Sequence, residues 1–147
     1  MSIVVRAMTA ADLQAVTILD ALSFTTPWPG NAFEGELTNR NGRCWVAEAD
    51  GRVVGALVLW RVLDEAHIAT IAVHPEFRGT GIGEQLFKTG SEAAYAEGAR
   101  IFHLEVRAGN TAAIRLYEKF GYAVVGRRLK YYKDTGEDAL LMTKKVD

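Results

Sequence analysis

The sequence predicts an α+β fold built on one mixed sheet in which most neighbouring strands are antiparallel. In the first half of the chain, three consecutive strand-like runs are joined by short turns, which indicates an antiparallel meander. In the second half, strand-like runs alternate with amphipathic segments, which indicates strand-helix-strand units. The 147 residues contain no internal repeat and no linker-like tract, so we expect a single domain over residues 1–147.

The N-terminal segment predicts one strand and two helices. "SIVVRA" is a short apolar strand, and "TAADLQAVTILDALSF" follows it as a helix with Thr9 as its cap. Two prolines and Gly30 then break the chain, and "AFEGELTNR" predicts a second, weaker helix. The apolar residues near helical spacing in the first helix are Leu13, Val16, Ile18, Leu19 and Leu22.

The centre of the chain predicts a hairpin and a third strand. In "RCWVAEADGRVVGALVLWRVL" the dipeptide Asp50-Gly51 separates two apolar runs, which is the strongest short signal for a hairpin. "AHIATIAVH" adds another strand that ends at Pro75. Three antiparallel strands are therefore expected before a glycine-rich turn begins.

The remaining segments complete about seven strands and about four helices. "GEQLFKTGSEAAYAEGA" predicts a helix that stops at Gly98, and "RIFHLEVRAG" predicts a strand. Asn110 or Thr111 opens a helix through "AAIRLYEKF", which Gly121 ends, and two strands follow around residues 134–136. In the first of these two helices, one face is formed by Ile82, Leu86, Gly90 and Ala93.

Composition and charge exclude several classes of protein. Apolar residues make up 49% and charged residues 24% of the chain, and the formal net charge is −1, which does not predict a nucleic-acid-binding surface. We see no N-terminal leader and no apolar run long enough for a membrane span, so we expect a cytoplasmic protein with no membrane partner. We also expect a monomer. The one cysteine, Cys44, cannot form an internal disulfide, which fits a reducing compartment.

The turn "FRGTGIG" has three glycines within five positions, between a strand and a helix. It lacks the Lys and Ser or Thr that follow the second glycine of a nucleotide-hydrolase phosphate loop. A dinucleotide-binding fingerprint would need a third glycine at Glu84 or at Leu86. Backbone N–H groups at a helix start, together with Arg78, still predict an anion site. The alternative is a glycine turn that only connects strand to helix.

"RGTGIG" also matches the Arg/Gln-x-x-Gly-x-Gly/Ala element of the GNAT acetyltransferases, and the chain resembles that superfamily. The resemblance implies that acetyl-coenzyme A is the co-substrate and that a splay between two strands admits its pantetheine arm. It implies that Ile71, Ala72 and Val73 form the pantetheine strand, with the N–H of Val73 as the oxyanion donor. The loop implied to bind the pyrophosphate consists of Arg78, Gly79, Thr80, Gly81, Ile82 and Gly83.

Three further blocks resemble the branch of this superfamily that acetylates the N-terminal alanine of a small-subunit ribosomal protein. They are "PWPGNAF", "LEVRAGNTAAIRLYEKFGY" and "RLKYYKDTGEDALLM". The resemblance implies that Glu105 is the general base and Tyr117 the general acid, with Asn110 and Tyr117 also near the pantetheine arm. The chain departs from the usual pattern at Pro29 and Gly109, where Ser is common, and at Lys133, where Pro is common.

The chemistry of amine acetylation is consistent with these two residue types. An α-ammonium has a pKa near 8 and must lose a proton before its nitrogen attacks, so a nearby carboxylate such as Glu105 is a sensible acceptor. A tyrosine hydroxyl such as Tyr117 can return a proton to the leaving sulfur. The structural alternatives are a strand carboxylate paired with Arg107 or a lysine, and a tyrosine packed on the inner face of its helix.

Recognition of a peptide is predicted to involve two segments. The resemblance implies that residues 24–33 and residues 131–138 wall the acceptor groove, with Trp28, Tyr131 and Tyr132 as its lining. Each of these aromatic residues is equally compatible with packing in the core or at a rim. Glu137 and Asp138 could attract a basic peptide or could simply polarise a solvated turn.

The sequence predicts neither a metal site nor a covalent intermediate. His67, His74 and His103 lack the spacing of metal ligands, so no metal site is expected. Cys44 lacks a visible activating partner, so direct transfer in a ternary complex is favoured over an acyl-cysteine intermediate. Three functions remain open from the sequence. They are N-terminal protein acetylation, acetylation of a small-molecule amine, and non-catalytic sensing of an acyl-coenzyme A.

Overall fold

The computed structural model describes residues 2–24, 27–29 and 31–147. The strands are β1 (Ile3–Ala7), β2 (Gly42–Ala49), β3 (Arg52–Val62), β4 (Glu65–Val73), β5 (Ile101–Arg107), β6 (Ala123–Arg128) and β7 (Ala139–Lys145). The helices are α1 (Leu13–Ser23), α2 (Ala32–Thr38), α3 (Ile82–Ala96) and α4 (Thr111–Lys119), and short 3-10 turns cover Ala10–Asp12 and Pro75–Phe77. Three residues of the predicted groove wall, Thr25, Thr26 and Gly30, lie outside the described residues.

The strands form one seven-stranded sheet in the order β1-β2-β3-β4-β5-β7-β6. Five of the six neighbouring pairs are antiparallel, and only β4 and β5 run parallel. The predicted turn at Asp50-Gly51 joins β2 to β3, with Ala49 opposite Arg52. The mixed, mostly antiparallel sheet with four helices confirms the predicted fold class.

Helices cover the two faces of the sheet. On one face, which we call the α3/α4 side, Leu86 and Phe87 of α3 and Tyr117 of α4 pack against strand residues such as Leu57. A Cβ atom on Gly90 would lie 2.4 Å from Cδ2 of Leu57, so only glycine allows α3 to approach β3 this closely.

On the other face, the α1/α2 side, the helices cover only part of the sheet. Val16 and Leu19 of α1 and Phe33 of α2 bury Val58 and Ala72, which belong to β3 and β4. The strand residues buried in this cluster belong to β2, β3 and β4 and not to β5, β6 or β7. Among the described residues, no helix is both long enough and apolar enough to cross a membrane.

Two expectations about local structure are wrong. Ile18 and Leu22 are 54% and 52% exposed, because the face of α1 that meets the sheet is formed by Val16, Leu19 and Asp20. The predicted apolar set mixed two faces of the helix. The turn between the last two strands is also longer than expected, since β6 ends at Arg128 and β7 begins at Ala139.

Candidate active site

A gap opens in the sheet between β4 and β5. The two strands pair at only three positions, Glu65 with Ile101, Ala66 with Phe102 and His67 with His103. Beyond His67, β4 stays paired with β3 while β5 stays paired with β7, so the parallel neighbours separate. The splay that the resemblance implied is therefore present in the fold.

The backbone of β4 presents polar groups to this gap. His74 donates its N–H to the carbonyl of Val54 at 2.8 Å, and Gly55 lies opposite Val73. Because bonded and non-bonded pairs alternate in an antiparallel ladder, the N–H and C=O of Val73 point away from β3 and toward the gap. The same alternation turns Ile71 toward the gap and Ala72 toward β3. Of the three predicted pantetheine contacts, Ile71 and Val73 thus face the gap and Ala72 does not.

The glycine turn lies directly after β4. Gly79 and Gly81 have φ values of 78° and 87°, a left-handed conformation that glycine adopts without steric cost. No acceptor among the described residues receives a hydrogen bond from the backbone N–H groups of residues 79–84. The first helical bond of α3 comes from Gln85 to the carbonyl of Gly81. The turn therefore offers consecutive unpaired donors at the positive end of a helix, which suits a pyrophosphate.

Side chains around the turn fix its shape and add charge. Arg78 donates its Nε–H to the carbonyl of Val73 at 3.3 Å, which brings a guanidinium to the end of β4. The hydroxyl of Thr80 donates to the carbonyl of Phe77 within the turn. Across the gap, the side chain of Asn110 accepts a hydrogen bond from the N–H of Ala113 and caps α4. Its capping role is thus observed directly.

Tyr117 lies on the α3/α4 side of the gap. Its ring packs 5.5 Å from Phe87 and 6.1 Å from Tyr122, measured between ring centroids, and the residue is 9% exposed. Burial raises the pKa of its hydroxyl, and the nearby Tyr132 raises it further. The hydroxyl is therefore protonated at neutral pH, as a proton donor must be.

Glu105 lies on the opposite side. Phe102, Leu104 and Val106 point into the α3/α4 side, so alternation along β5 directs Glu105 toward the face that α1 and α2 leave uncovered. Its nearest cation is Arg128, with 3.9 Å between Nη2 and Oε1, and its side chain is 21% exposed. The pairing with Arg107 that was the structural alternative is absent, because Arg107 binds Asp134.

The loop between β6 and β7, residues 129–138, brings Tyr131 and Tyr132 to the same face. Their rings meet edge to face with centroids 5.2 Å apart. Burial raises the pKa of Tyr132, while the charge of Arg107 lowers it and that of Glu105 raises it. The Tyr132 ring packs 4.0 Å from the guanidinium of Arg107, which follows Glu105 by two residues on the same face of β5.

Trp28 makes its described contacts on the α1/α2 side. Its ring stacks on Phe33 with centroids 4.9 Å apart, and its backbone N–H donates to the carboxylate of Asp20 at 2.7 Å. Asp20 is only 2% exposed, and burial raises its pKa. The sequence did not predict a role for Asp20, because an acidic side chain on a helix gives no signal that it anchors a loop.

Cysteine and histidine residues have other environments. Burial raises the pKa of the Cys44 thiol to about 11, so little thiolate exists at neutral pH to act as a nucleophile. His103 is held by Glu65 and Thr143, and His74 accepts the N–H of Glu76. The described part of the chain contains no cluster of three or more side chains of the types that bind metal ions.

Comparisons with known proteins agree with this geometry. Residues 13–122 match the acetyltransferase (GNAT) family. A Bacillus subtilis protein provisionally named a ribosomal protein bS18-alanine N-acetyltransferase is 43% identical over 94% of this chain and 92% of its own length. The Mycobacterium tuberculosis N-alpha-acetyltransferase RimI is 34% identical over 97% of this chain and 92% of its own length.

A solved structure gives the same result. The ribosomal-protein-S18-alanine N-acetyltransferase of Escherichia coli superposes with a TM-score of 0.93 at 28% identity, covering 99% of this chain and 95% of that one. The chain belongs to the GNAT family of acetyltransferases. The resemblance that its glycine turn indicated is thereby confirmed.

Proposed function

We propose that this protein transfers the acetyl group of acetyl-coenzyme A to the N-terminal α-amino group of a protein. The acceptor that the relatives' names favour is the N-terminal alanine of ribosomal protein bS18, since two full-length relatives and one solved structure carry that activity in their names. We further propose that residues 1–147 act as one cytoplasmic, monomeric domain.

The gap between β4 and β5 is the observation that carries the proposal. Tyr117 lies on the α3/α4 side of the sheet, and Glu105 on β5 points to the other side. The unpaired N–H groups of residues 79–84 lie at its entrance, which fits an anionic cofactor whose arm passes between the strands. An amine that arrives over the open face would meet the end of that arm beside Glu105.

Each residue has one task in this arrangement. Acetyl-coenzyme A, when bound, supplies the acetyl group as an activated thioester. Glu105 accepts a proton from the α-ammonium, directly or through a water molecule, so that the nitrogen becomes a nucleophile. The N–H of Val73 donates to the carbonyl oxygen as that oxygen gains charge. Tyr117 donates its hydroxyl proton to the departing sulfur.

The environment of Cys44 supports direct transfer. With its thiol pKa near 11, this side chain stays protonated at neutral pH, and it packs with the α1/α2 cluster. A covalent acyl-enzyme therefore lacks a nucleophile at this position. The amine and acetyl-coenzyme A would occupy the two sides of the gap together.

The test is an acetylation assay with matched acceptors. The purified protein is incubated with acetyl-coenzyme A and a hexapeptide that carries the N-terminal sequence of bS18, beginning with alanine. A twin peptide is blocked at its N-terminus and contains an internal lysine, and a panel of polyamines completes the set. Thiol release reports turnover, and mass spectrometry locates the added 42 Da.

Acetylation of the free peptide alone supports the proposal. Turnover with polyamines alone would keep the cofactor site and overturn the acceptor. No turnover with any acceptor, despite tight binding of acetyl-coenzyme A, would overturn the catalytic roles of Glu105 and Tyr117 and favour a sensor.

A further inference from the structure

Arg107 is the centre of a compact set of contacts at the end of β5. Its Nη1 and Nη2 atoms each donate to one carboxylate oxygen of Asp134 at 2.9 Å, a bidentate pair. Nη1 also donates to the hydroxyl of Thr135 at 3.2 Å. The guanidinium carbon lies 4.0 Å from the centroid of the Tyr132 ring. One side chain thus holds three residues of the β6–β7 loop.

Glu137 provides a second anchor for the same loop. Its Oε2 atom accepts the N–H of Gly109 at 3.1 Å, and its Oε1 atom lies 3.5 Å from Nη1 of Arg107. A Cβ atom on Gly109 would lie 2.7 Å from that Oε2 atom. The glycine that departs from the usual serine of the family therefore leaves room for this carboxylate.

The acidic residues of the loop are all engaged within the protein. Asp134 and Glu137 bind Arg107, while Asp138 binds Arg127 at 2.6 Å and accepts the N–H of Lys130 at 2.9 Å. These contacts compensate the negative charge locally. They argue against the alternative in which Glu137 and Asp138 attract a basic peptide.

The clamp acts on the aromatic wall of the acceptor side. Tyr132 packs its ring against Arg107, and its backbone N–H donates to the carbonyl of Glu137 at 3.1 Å. Arg107 follows Glu105 by two residues on β5, so both side chains lie on the same face of the sheet, where the Tyr132 ring packs on Arg107. The position of this ring relative to the gap therefore depends on the loop contacts of Arg107.

We propose that Arg107 is a positioning residue that determines acceptor specificity. It clamps the β6–β7 loop so that Tyr132 forms a fixed wall beside the gap, and the acceptor is selected by its fit to that wall rather than by the charge of its side chains. This inference rests on the proposed function, since it concerns the acceptor of the same reaction.

The first test compares Arg107→Met with Arg107→Lys and with a matched control, Arg43→Met. Arg43 also forms an ion pair, with Glu97 at 2.9 Å, but it lies on β2. Loss of a bidentate charge-assisted pair is expected to raise KM for the alanine peptide by about 10-fold or more in Arg107→Met. KM for acetyl-coenzyme A and kcat at saturating peptide are expected to change by less than about 3-fold. Arg107→Lys keeps the charge without the planar fork, so its KM for the alanine peptide is expected to lie between those of the wild type and Arg107→Met.

A second measurement needs no acceptor. Hydrogen exchange of residues 129–138 is expected to accelerate by about 10-fold or more in Arg107→Met and to stay unchanged in Arg43→Met. Accelerated exchange in an enzyme without peptide activity would overturn the proposed function while leaving the clamp intact. Unchanged exchange in Arg107→Met would overturn the clamp whatever the acceptor.

Two further results test whether the acceptor is selected by its fit to the wall rather than by its charge. Wild-type KM values for peptides with Arg or Gln at the third position are expected to agree within about 2-fold, because the carboxylates of the loop are already paired. A strong preference for the Arg peptide would overturn selection by fit. A uniform loss in Arg107→Met, with kcat and both KM values affected alike, would show a general structural role and would also overturn the proposal.

Discussion

Glu105 and Arg128 face each other across the open side of the sheet, with 3.9 Å between Oε1 of the carboxylate and Nη2 of the guanidinium. Arg128 belongs to β6 and is separated from Glu105 by the intervening strand β7. The proposed general base thus has a positive neighbour at the place where a positively charged α-ammonium would arrive. We propose that this contact links binding of the acceptor to its deprotonation.

Replacing Arg128 should affect binding and turnover in opposite directions. The guanidinium repels an incoming ammonium, which weakens binding. It also favours loss of the ammonium proton, which speeds turnover. In Arg128→Gln we expect KM for the peptide to fall by about 2- to 5-fold and kcat at pH 7 to fall by a similar factor, as is typical of an exposed charge pair. The acidic limb of the kcat profile should move to higher pH.

Steady-state kinetics at two salt concentrations check this prediction. The control is Lys145→Gln, which removes one positive charge at the C-terminal end of β7. Equal changes in both variants would show an effect of net charge alone and would contradict a specific link between Arg128 and Glu105.

The glycine turn predicts a loss of cofactor affinity that can be separated from a loss of stability. Gly81 in the turn and Gly51 in the β2–β3 hairpin have φ values of 87° and 85°, and no atom lies within 4 Å of a Cβ added to either. Alanine at either position should cost about 1 kcal/mol of stability. Only Gly81→Ala should also weaken binding of acetyl-coenzyme A, by about 10-fold, because its methyl group intrudes on the unpaired N–H groups. Calorimetry measures both stability and affinity. Equal affinities for acetyl-coenzyme A in the two variants would contradict binding of the cofactor at the glycine turn.

Tyr117→Phe removes the proposed acid and keeps its aromatic packing. Because the ring contacts with Phe87 and Tyr122 remain, we expect the affinity for acetyl-coenzyme A to change by less than about 3-fold. Turnover should fall by about 100-fold. Tyr122→Phe removes another buried hydroxyl from the same aromatic stack and should leave kcat nearly unchanged. Comparable losses in both variants would show that the stack, and not the proton of Tyr117, matters.

The features that sequence patterns predicted are the local ones. The hairpin at Asp50-Gly51 and the glycine turn at Gly79 and Gly81 depend on conformations that a few neighbouring residues specify. The gap between β4 and β5 could be expected only through the family resemblance, because strand separation results from pairing with other strands.

The features that escaped prediction are non-local. Arg107 binds Asp134, 27 residues further along the chain, and Asp20 anchors the N–H of Trp28 across a proline-containing loop. Ile18 and Leu22 fit the helical period but face outward, since a period does not say which face of α1 meets the sheet. Charge pairs between distant residues leave no periodic trace in a sequence.

Acid stability should depend on Asp12. The guanidinium of Arg6, 2.7 Å away, and the N–H of Thr9 together lower the pKa of this buried carboxyl to about 2, although burial opposes the shift. A carboxyl with a pKa of about 3.9 in the unfolded chain then contributes about 2 kcal/mol above pH 5, which is lost as the pH falls through the folded value.

Urea unfolding at pH 7 and at pH 3 tests this contribution. Asp12→Asn should lower the free energy of unfolding at pH 7 and should flatten its decline toward pH 3. Asp64→Asn, which removes an exposed carboxylate, should do neither. A decline of unchanged steepness in Asp12→Asn would assign the acid sensitivity to other groups.

The turnover of Glu105→Gln with the free alanine peptide is the most direct test of the account. Glutamine keeps the size of the side chain and its place opposite Leu141 in the sheet, but it cannot accept the ammonium proton. We expect kcat to fall by about 100-fold or more at pH 7, while calorimetry shows unchanged affinity for acetyl-coenzyme A. A variant that turns over at the wild-type rate would contradict the role of Glu105 as the proton acceptor at the gap.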